Sequence, residues 1–185
     1  MNPSTEDIVG AVEQVPSDRI FVLPNNSNII MAAEQAKSVT RKDIFIVPTK
    51  TIQQGIAAVL AMKVHADFES NGKRMTEAAA KVKSGQVTTA VRDSRLDGVD
   101  IREGDHLGMA DGKVIASDGD LFAVCAAVLR AMMETGEEIV SIYEGESAER
   151  AVTEKIRAFM ADEYPDAEVE ILHGGQPVYS YLISA

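Results

Sequence analysis

The sequence of 185 residues contains few of the residue types that mark specialised protein classes. It has one cysteine, Cys125, and no tryptophan, and only 5% of its residues are aromatic. A single cysteine excludes a disulfide framework within the chain. The histidines His65, His106 and His173 lie far apart, without a cysteine or carboxylate at metal-ligand spacing, so the sequence argues against a zinc site.

Long apolar runs and basic clusters are missing as well. No stretch approaches the roughly 20 apolar residues of a membrane-spanning helix, and the first residues lack the pattern of a secretory signal. We therefore expect a cytoplasmic protein with no membrane span. The formal net charge is −11, from 29 acidic and 18 basic residues. Because nucleic-acid binding depends on clustered Lys and Arg, the charge disfavours nucleic acid and favours a partner protein with a basic or mixed surface.

The first part of the chain contains one pattern twice, 24 residues apart. A short apolar run ends in proline, a polar triplet follows, and a helical pattern comes next; the copies begin at Phe21 and Phe45. Continuous apolar runs suit strands buried on both faces of a parallel sheet, so the succession predicts a βαβα unit. A capping-box pattern at Ser4–Asp7 predicts a further helix before it.

The second part, after a polar segment near residues 63–70, predicts a mixed sheet with helices. We expect a helix from Phe68 that Gly85 ends, turns at 97–98 and 111–112, and a long apolar helix capped by Ser117 and Asp120. The fold class is therefore α/β, with two small subdomains at residues 1–66 and 67–185.

The polar triplets of the first part are candidates for a binding site. Ligands of open α/β sheets usually lie at the carboxyl ends of parallel strands, where both triplets fall. Ser27 and Thr51 are expected to cap helices; the alternative is an anion site at a helix amino terminus, which Lys50 would strengthen. The candidates for partner or ligand contact in this part are Asn25, Asn26, Asn28, Thr49, Lys50, Thr51 and Gln53.

Two connections of the second part are also candidates. Arg92 and Asp93 end a predicted strand and could form a local ion pair. The segment that begins with Gly174, Gly175 and Gln176 either joins two strands tightly or lets the backbone approach a ligand. No nucleophile elbow, dinucleotide fingerprint or kinase signature is found, so no catalytic residue is assigned.

Several segments, in order along the chain, resemble the C-terminal domain of fatty acid kinase A proteins, also called YloV-like or DAK2-domain fusion proteins. They are MNPSTEDI (1–8), LPNNSNIIMAA (23–33), PTKTIQQGIAA (48–58), GQVT (85–88), AVRD (90–93) and GGQPVY (174–179). The resemblance covers essentially the whole chain. It implies a fold similar to the DegV-like (EDD-type) fatty-acid carrier, which is the B component of that system.

The resemblance also implies what this chain lacks and what it contacts. In that family ATP and magnesium bind an N-terminal DAK2-type domain, which a middle domain follows, so no cofactor is expected here. The stretch at Met1 is internal in the family, and we expect a longer parent protein. The implied partners are the DegV-like carrier and the kinase and middle domains of the same polypeptide. The alternative is a DegV-like domain that holds a lipid or anion between its subdomains; a stand-alone hydrolase or transferase ranks below both.

Overall fold

The computed structural model describes residues 2–185, and the chain divides into the units Met1–Val82 and Lys83–Ala185. The elements of the first unit are α1 (Thr5–Gln14), β1 (Arg19–Val22), α2 (Ser27–Val39), β2 (Asp43–Ile46), α3 (Ile52–Leu60) and α4 (Phe68–Lys81). Those of the second are β3 (Ser84–Thr89), β4 (Ser94–Leu96), β5 (Val99–Ile101), β6 (His106–Ala110), β7 (Lys113–Asp118), α5 (Leu121–Met132), β8 (Ile139–Glu144), α6 (Arg150–Glu163), β9 (Glu168–His173) and β10 (Tyr179–Ser184). None of these helices is long and apolar enough to cross a bilayer.

The capping box at the start of α1 forms as the sequence predicts. The Asp7 backbone N–H donates to Ser4 Oγ at 3.2 Å, and the Ser4 backbone N–H donates to the Asp7 carboxylate at 2.8 Å. Hydrogen bonds from Ser4 lower the pKa of Asp7. The reciprocal bonds satisfy two donors that a helix start leaves unpaired.

The two repeats of the first unit form a parallel strand pair with both faces covered. β1 and β2 pair in register, with Ile20 opposite Ile44. These isoleucines pack into one cluster with α1 and α2. The other face carries Phe21 and Phe45, which pack against Phe68 of α4, with ring centroids 4.6 and 6.2 Å away. The predicted βαβα unit is therefore confirmed.

Helix α4 belongs to the first unit, whereas the sequence places the division after residue 66. The helix packs on α3 and approaches β2 closely at Gly72. A Cβ on Gly72 would lie 2.3 Å from the Phe45 ring, so the absence of a side chain allows the contact. The polar segment that suggests a boundary is thus a connection between two packed helices.

The second unit is built on a six-stranded mixed sheet in the order β7-β6-β3-β10-β8-β9. Only β8 and β9 are parallel neighbours; the other pairs are antiparallel. Helices α5 and α6 join the main core cluster, which includes Val128, Ile156 and Tyr181. A smaller cluster contains Ile101 of the β4–β5 hairpin and Val114 of β7. The predicted mixed sheet with helices is confirmed.

Turn and cap chemistry in the second unit follows the sequence in part. Asp111 and Gly112 have φ values of 48° and 80°, the left-handed pair that a tight hairpin turn needs. The prediction that Gly85 ends a helix is wrong: it lies in β3, where a Cβ would meet Met132 at 2.5 Å. Ser117 lies in β7, and Asp120 alone caps α5.

Candidate functional site

The loops that follow β1 and β2 are joined by a side chain. The backbone N–H of Asn25 donates to Thr49 Oγ1 at 3.0 Å, and Thr49 is fully buried. Asn25 has φ 54°, which turns the first loop. The two residues occupy equivalent positions in the 24-residue repeat, so the repeat itself brings the predicted candidates of the first unit together.

The polar groups of these loops also cap the helices that follow. The Asn28 backbone N–H donates to Asn26 Oδ1 at 2.9 Å, so Asn26 caps α2, and the prediction of Ser27 as the cap is wrong. Thr51 caps α3 as predicted, accepting the Gln54 N–H at 3.2 Å. A bond from the Lys50 N–H to Gln54 Oε1 at 2.8 Å closes the same turn.

Close packing beneath the two loops reduces the number of polar side chains that a ligand could reach. A Cβ on Gly55 would lie 2.3 Å from Asn25 Oδ1, so the amide rests directly on α3. That oxygen is buried and has no hydrogen-bond partner among residues 2–185. Gln53 is only 2% exposed. Asn28 and Lys50 are the exposed members of this group, and Lys50 is its charged residue.

Helix α3 itself carries a feature that the sequence analysis missed. Its largest apolar side chains face solvent, with Leu60 80% exposed and Val59 53% exposed. The positions it buries are Gln53, Gly55 and Ala58. The helical spacing of the apolar residues was visible in the sequence, but spacing does not reveal which side of a helix is covered.

In the second unit, Arg92 and Asp93 follow β3 at the surface. Asp93 Oδ1 accepts the Glu103 backbone N–H at 2.7 Å, which holds the connection between β5 and β6. Within the described part of the chain no ion pair joins Arg92 to Asp93. Arg92 is exposed, and its charge is available to a partner.

The segment with the paired glycines bonds to the chain's own backbone. The N–H groups of Gly174 and Gly175 both donate to the Glu144 carbonyl at 2.9 Å, and Gln176 Nε2 donates to the Tyr143 carbonyl at 2.9 Å. The segment joins β9 to β10, which are not neighbours, because β8 lies between them. The close approach that glycine permits is therefore to the end of β8.

The connection that follows β3 and the segment that precedes β10 lie at the same end of these two neighbouring strands of the six-stranded sheet. Thr88 Oγ1, near the end of β3, donates to the Val178 carbonyl at 2.7 Å, just before β10 begins. Arg92 and Gln176 thus emerge from the same end of adjacent strands. The structure thus groups the predicted residues in two places: the two loops after β1 and β2 in the first unit, and the shared end of β3 and β10 in the second.

The side chains with reactive potential are held in structural roles. Burial raises the pKa of Cys125 to about 12, so the thiol is not ionised at neutral pH. The buried Tyr181 hydroxyl lies 3.0 Å from Thr153 Oγ1, which donates to Glu144 Oε1 at 2.5 Å. Burial also raises the pKa of Tyr181. Among the described residues, no group of three or more His, Cys, Asp or Glu side chains is placed to hold a metal ion.

Comparison with known proteins assigns the chain to a family. The FakA-like C-terminal family, which is the C-terminal part of fatty acid kinase A, matches residues 1–185. Protein YloV of Bacillus subtilis is 46% identical over 185 residues, which are 100% of this chain and 34% of that protein. An uncharacterized protein of Staphylococcus aureus is 42% identical over 184 residues, 100% of this chain and 34% of its own length. The chain spans about a third of these curated relatives.

Solved structures share the fold at low sequence identity. The fatty acid kinase (Fak) B3 protein of Streptococcus pneumoniae, loaded with linoleic acid, has a TM-score of 0.67 and 12% identity, covering 98% of this chain and 75% of that one. A Thermotoga maritima protein with fatty acid binding function has a TM-score of 0.67 and 14% identity, covering 100% and 76%. The dihydroxyacetone kinase of C. freundii has a TM-score of 0.60 and 14% identity, covering 98% and 41%. With its DegV-like fold and a match over its full length, the chain belongs to the FakA-like C-terminal family of fatty acid kinase proteins.

Proposed function

We propose that this chain is the docking domain of a fatty acid kinase A protein and takes no part in the chemistry itself. It binds a DegV-like protein that carries the fatty acid, and the ATP-binding domain of the parent protein then forms the acyl phosphate. The observation that carries this proposal is the match of the whole chain to the C-terminal part of fatty acid kinase A. The remaining two-thirds of the related proteins supply room for the kinase and middle domains.

The chemistry of the described side chains supports a binding role. The hydroxyl of Thr49 accepts a hydrogen bond from the backbone of the first loop, and that of Thr51 accepts one from the backbone of the first turn of α3. The thiol of Cys125 is buried with a raised pKa, which removes it as a nucleophile. Lys50, Arg92 and Gln176 lie in loops, where a rigid scaffold usually presents its binding residues.

Calorimetric titration of the chain with the fatty-acid-loaded DegV-like carrier of the same organism tests this proposal. Saturable heat at micromolar concentrations is expected, and Lys50→Ala is expected to weaken binding because it removes an exposed charge without touching a described hydrogen bond of its side chain. No heat at tens of micromolar, with both proteins folded, would overturn the docking role. An ATP hydrolysis assay on the pure chain is expected to show no turnover.

A second candidate is a DegV-like domain that holds a lipid or anion itself. The first unit contains an apolar cavity of about 390 Å³, lined by residues of α1 and β1 such as Ile8, Val12 and Phe21. This volume is in the range of small-molecule sites, and several structural neighbours carry fatty acids. Extraction of the purified chain followed by mass spectrometry distinguishes the two hypotheses, because a stoichiometric fatty acid would favour the lipid-binding domain over the docking domain.

A further inference from the structure

The parallel strand pair of the first unit has an unpaired edge. In the described part of the chain β1 pairs only with β2, and the two form a sheet of two strands, whereas sheets usually have roughly four to six. The Val22 carbonyl accepts the Val47 N–H at 3.0 Å, so Val22 faces β2. Because the backbone groups of successive strand residues alternate in direction, those of Phe21 and Leu23 point away from β2, to the free edge of β1.

Only the start of this free edge is protected. The Arg19 N–H donates to Ser17 Oγ at 3.2 Å, and the same hydroxyl donates to the Arg19 carbonyl at 3.0 Å. At Phe21 and Leu23 no hydrogen bond among residues 2–185 lies on the outer side of the strand. Natural proteins normally charge, cover or pair such an apolar edge, because its unpaired backbone groups would otherwise bind another strand. The outer side of β1 therefore has the properties of a strand that lacks a neighbour.

The apolar cavity of about 390 Å³ runs along this edge as a groove. It is lined by the consecutive residues 20–24 and by one side of α1. On α1, Ile8 and Val12 are buried in the core of the first unit. Ala11 and Val15 line the groove instead, and Val15 is 41% exposed. The apolar stripe of α1 is therefore wider than the strand pair that it covers, and the remainder faces the space beside β1.

Helix α1 has the position of a crossover helix. It precedes β1 in the sequence and packs on the strand pair, and a helix of this kind normally joins two parallel strands of one sheet. Pro3, just before α1, lines the same groove, so polypeptide that precedes residue 1 in a longer protein lies within reach of the free edge. This chain covers 34% of Protein YloV and 75% of the Fak B3 chain, so both contain elements that have no counterpart here.

We infer that the parent protein completes the sheet of the first unit: an apolar strand of the polypeptide that precedes this chain pairs in parallel with β1 and fills the groove beneath α1. The inference rests on the part of the proposed function that places this chain in a longer protein, and it does not require docking of the carrier. A strand fits better than an acyl chain, because one side of the groove is unpaired backbone, whose N–H and C=O groups an acyl chain would leave without partners.

Amide hydrogen exchange, compared between this chain and its parent protein, tests the inference. In this chain the amides of Phe21 and Leu23 are expected to exchange quickly, because they have no acceptor. In the parent protein a strand beside β1 supplies acceptors, and both amides are expected to exchange at least tenfold more slowly. The amide of Val22, which faces β2, is expected to be protected in both proteins and serves as the internal reference.

A substitution in the groove makes the result specific. Ala11→Lys places a long charged side chain at an exposed position of α1 that lines the groove. This chain is expected to fold normally with that change, whereas in the parent protein the lysine obstructs the strand and is expected to restore fast exchange at Phe21. Gln14→Lys is the matched control, because it adds the same charge to α1 at an exposed position outside the groove lining; its parent protein is expected to keep the protection. The wild-type comparison decides the question if Ala11→Lys prevents folding of the parent protein.

The outcomes distinguish this inference from the docking role. Equal exchange of Phe21 in this chain and in the parent protein would overturn the inference, whereas calorimetric binding of the loaded carrier would still support docking. Protection in the parent protein without any binding of the carrier would support the inference and overturn docking. If the isolated chain gains the protection on addition of a fatty acid, at rising chain concentration or on addition of the carrier, the edge belongs to a lipid, to a second copy or to the carrier, and the inference is wrong.

Discussion

Thr49→Val isolates the hydrogen bond that joins the two loops of the first unit. Valine has nearly the shape of threonine, so the substitution leaves no cavity, but it removes the oxygen that accepts the Asn25 N–H at 3.0 Å. A buried donor left unpaired costs about 1–3 kcal/mol. Because Asn25 is only half-buried and water can reach it in part, we expect the lower end of that range, about 1–2 kcal/mol.

The distribution of aromatic residues allows this loss to be measured unit by unit. The chain has no tryptophan, and its four tyrosines all lie in the second unit. Urea unfolding followed by circular dichroism reports both units, whereas tyrosine fluorescence reports only the second. With a slope of about 2 kcal/mol per molar urea, Thr49→Val is expected to lower the midpoint of the first unit by about 0.5–1 M and to leave the fluorescence transition unchanged.

A matched control tests whether the loop bond is the cause. Thr76 donates to the Gly72 carbonyl within α4, and Thr76→Val removes a hydroxyl without leaving a donor unpaired, so we expect a change below about 0.5 kcal/mol. A wild-type unfolding midpoint for Thr49→Val, or a destabilisation of the first unit no larger than that of Thr76→Val, would show that the loop bond does not stabilise the first unit.

Three further predictions concern the second unit. Gly145→Ala is expected to destabilise it by about 3 kcal/mol, seen in tyrosine fluorescence, because a Cβ there would lie 2.0 Å from the Tyr179 carbonyl; wild-type stability would contradict the packing. Burial opposes ionisation of Glu137, but hydrogen bonds from Lys83 and Thr135 lower its pKa from 4.5 to about 2. The ion pair therefore stabilises fully above about pH 4.5, and its contribution is lost as the pH falls from there to below about 2; Glu137→Gln is expected to lose about 1–2 kcal/mol at pH 7 and almost nothing below pH 2. Cys125 is expected to react with iodoacetamide only after unfolding, and rapid labelling of the native chain would show that it is accessible.

The repeat and the apolar runs were enough to predict the βαβα unit. Its strands need to be apolar on both faces, and that requirement is visible in the residues after Arg19 and Asp43. The hairpin turn at Asp111–Gly112 was equally predictable, because both turn positions need a left-handed backbone conformation and Asp-Gly is one of the few residue pairs that adopt it readily. These features depend on local chemistry, which the sequence shows directly.

Features that depend on distant neighbours were not predictable in the same way. Helical spacing shows that Ile52 and Leu60 lie near one side of α3, but not that Gly55 and Ala58 face the fold. Gly85 resembles a helix terminator until Met132 is found against it. The segment at Gly174 resembles a simple strand connection until β8 is found between the strands that it joins. In each case the deciding partner lies elsewhere in the chain.

The positions of the candidate loops after parallel strands were predictable from the sequence, but the hydrogen bonds that their side chains form were not. The sequence placed Asn25 and Thr49 at the ends of parallel strands, where the structure has them. It could not show that Thr49 accepts a hydrogen bond from the other loop, or that Asn26 and not Ser27 caps α2. Side chains of one chemical type can cap a helix, hydrogen-bond to a neighbouring loop or contact a ligand. Only the geometry of the surrounding backbone shows which of these roles a given side chain has.

The position of β10 affects the order in which the protein can fold during synthesis. Tyr179–Ser184 is the last strand along the chain, yet it lies between β3 and β8 in the middle of its sheet. The first unit has all of its residues once Val82 has left the ribosome. The second must wait, with β3 and β8 each lacking a neighbour, until translation has passed Ser184. During that interval its apolar strand edges are open to pairing with other chains, which makes the unfinished second unit prone to aggregation.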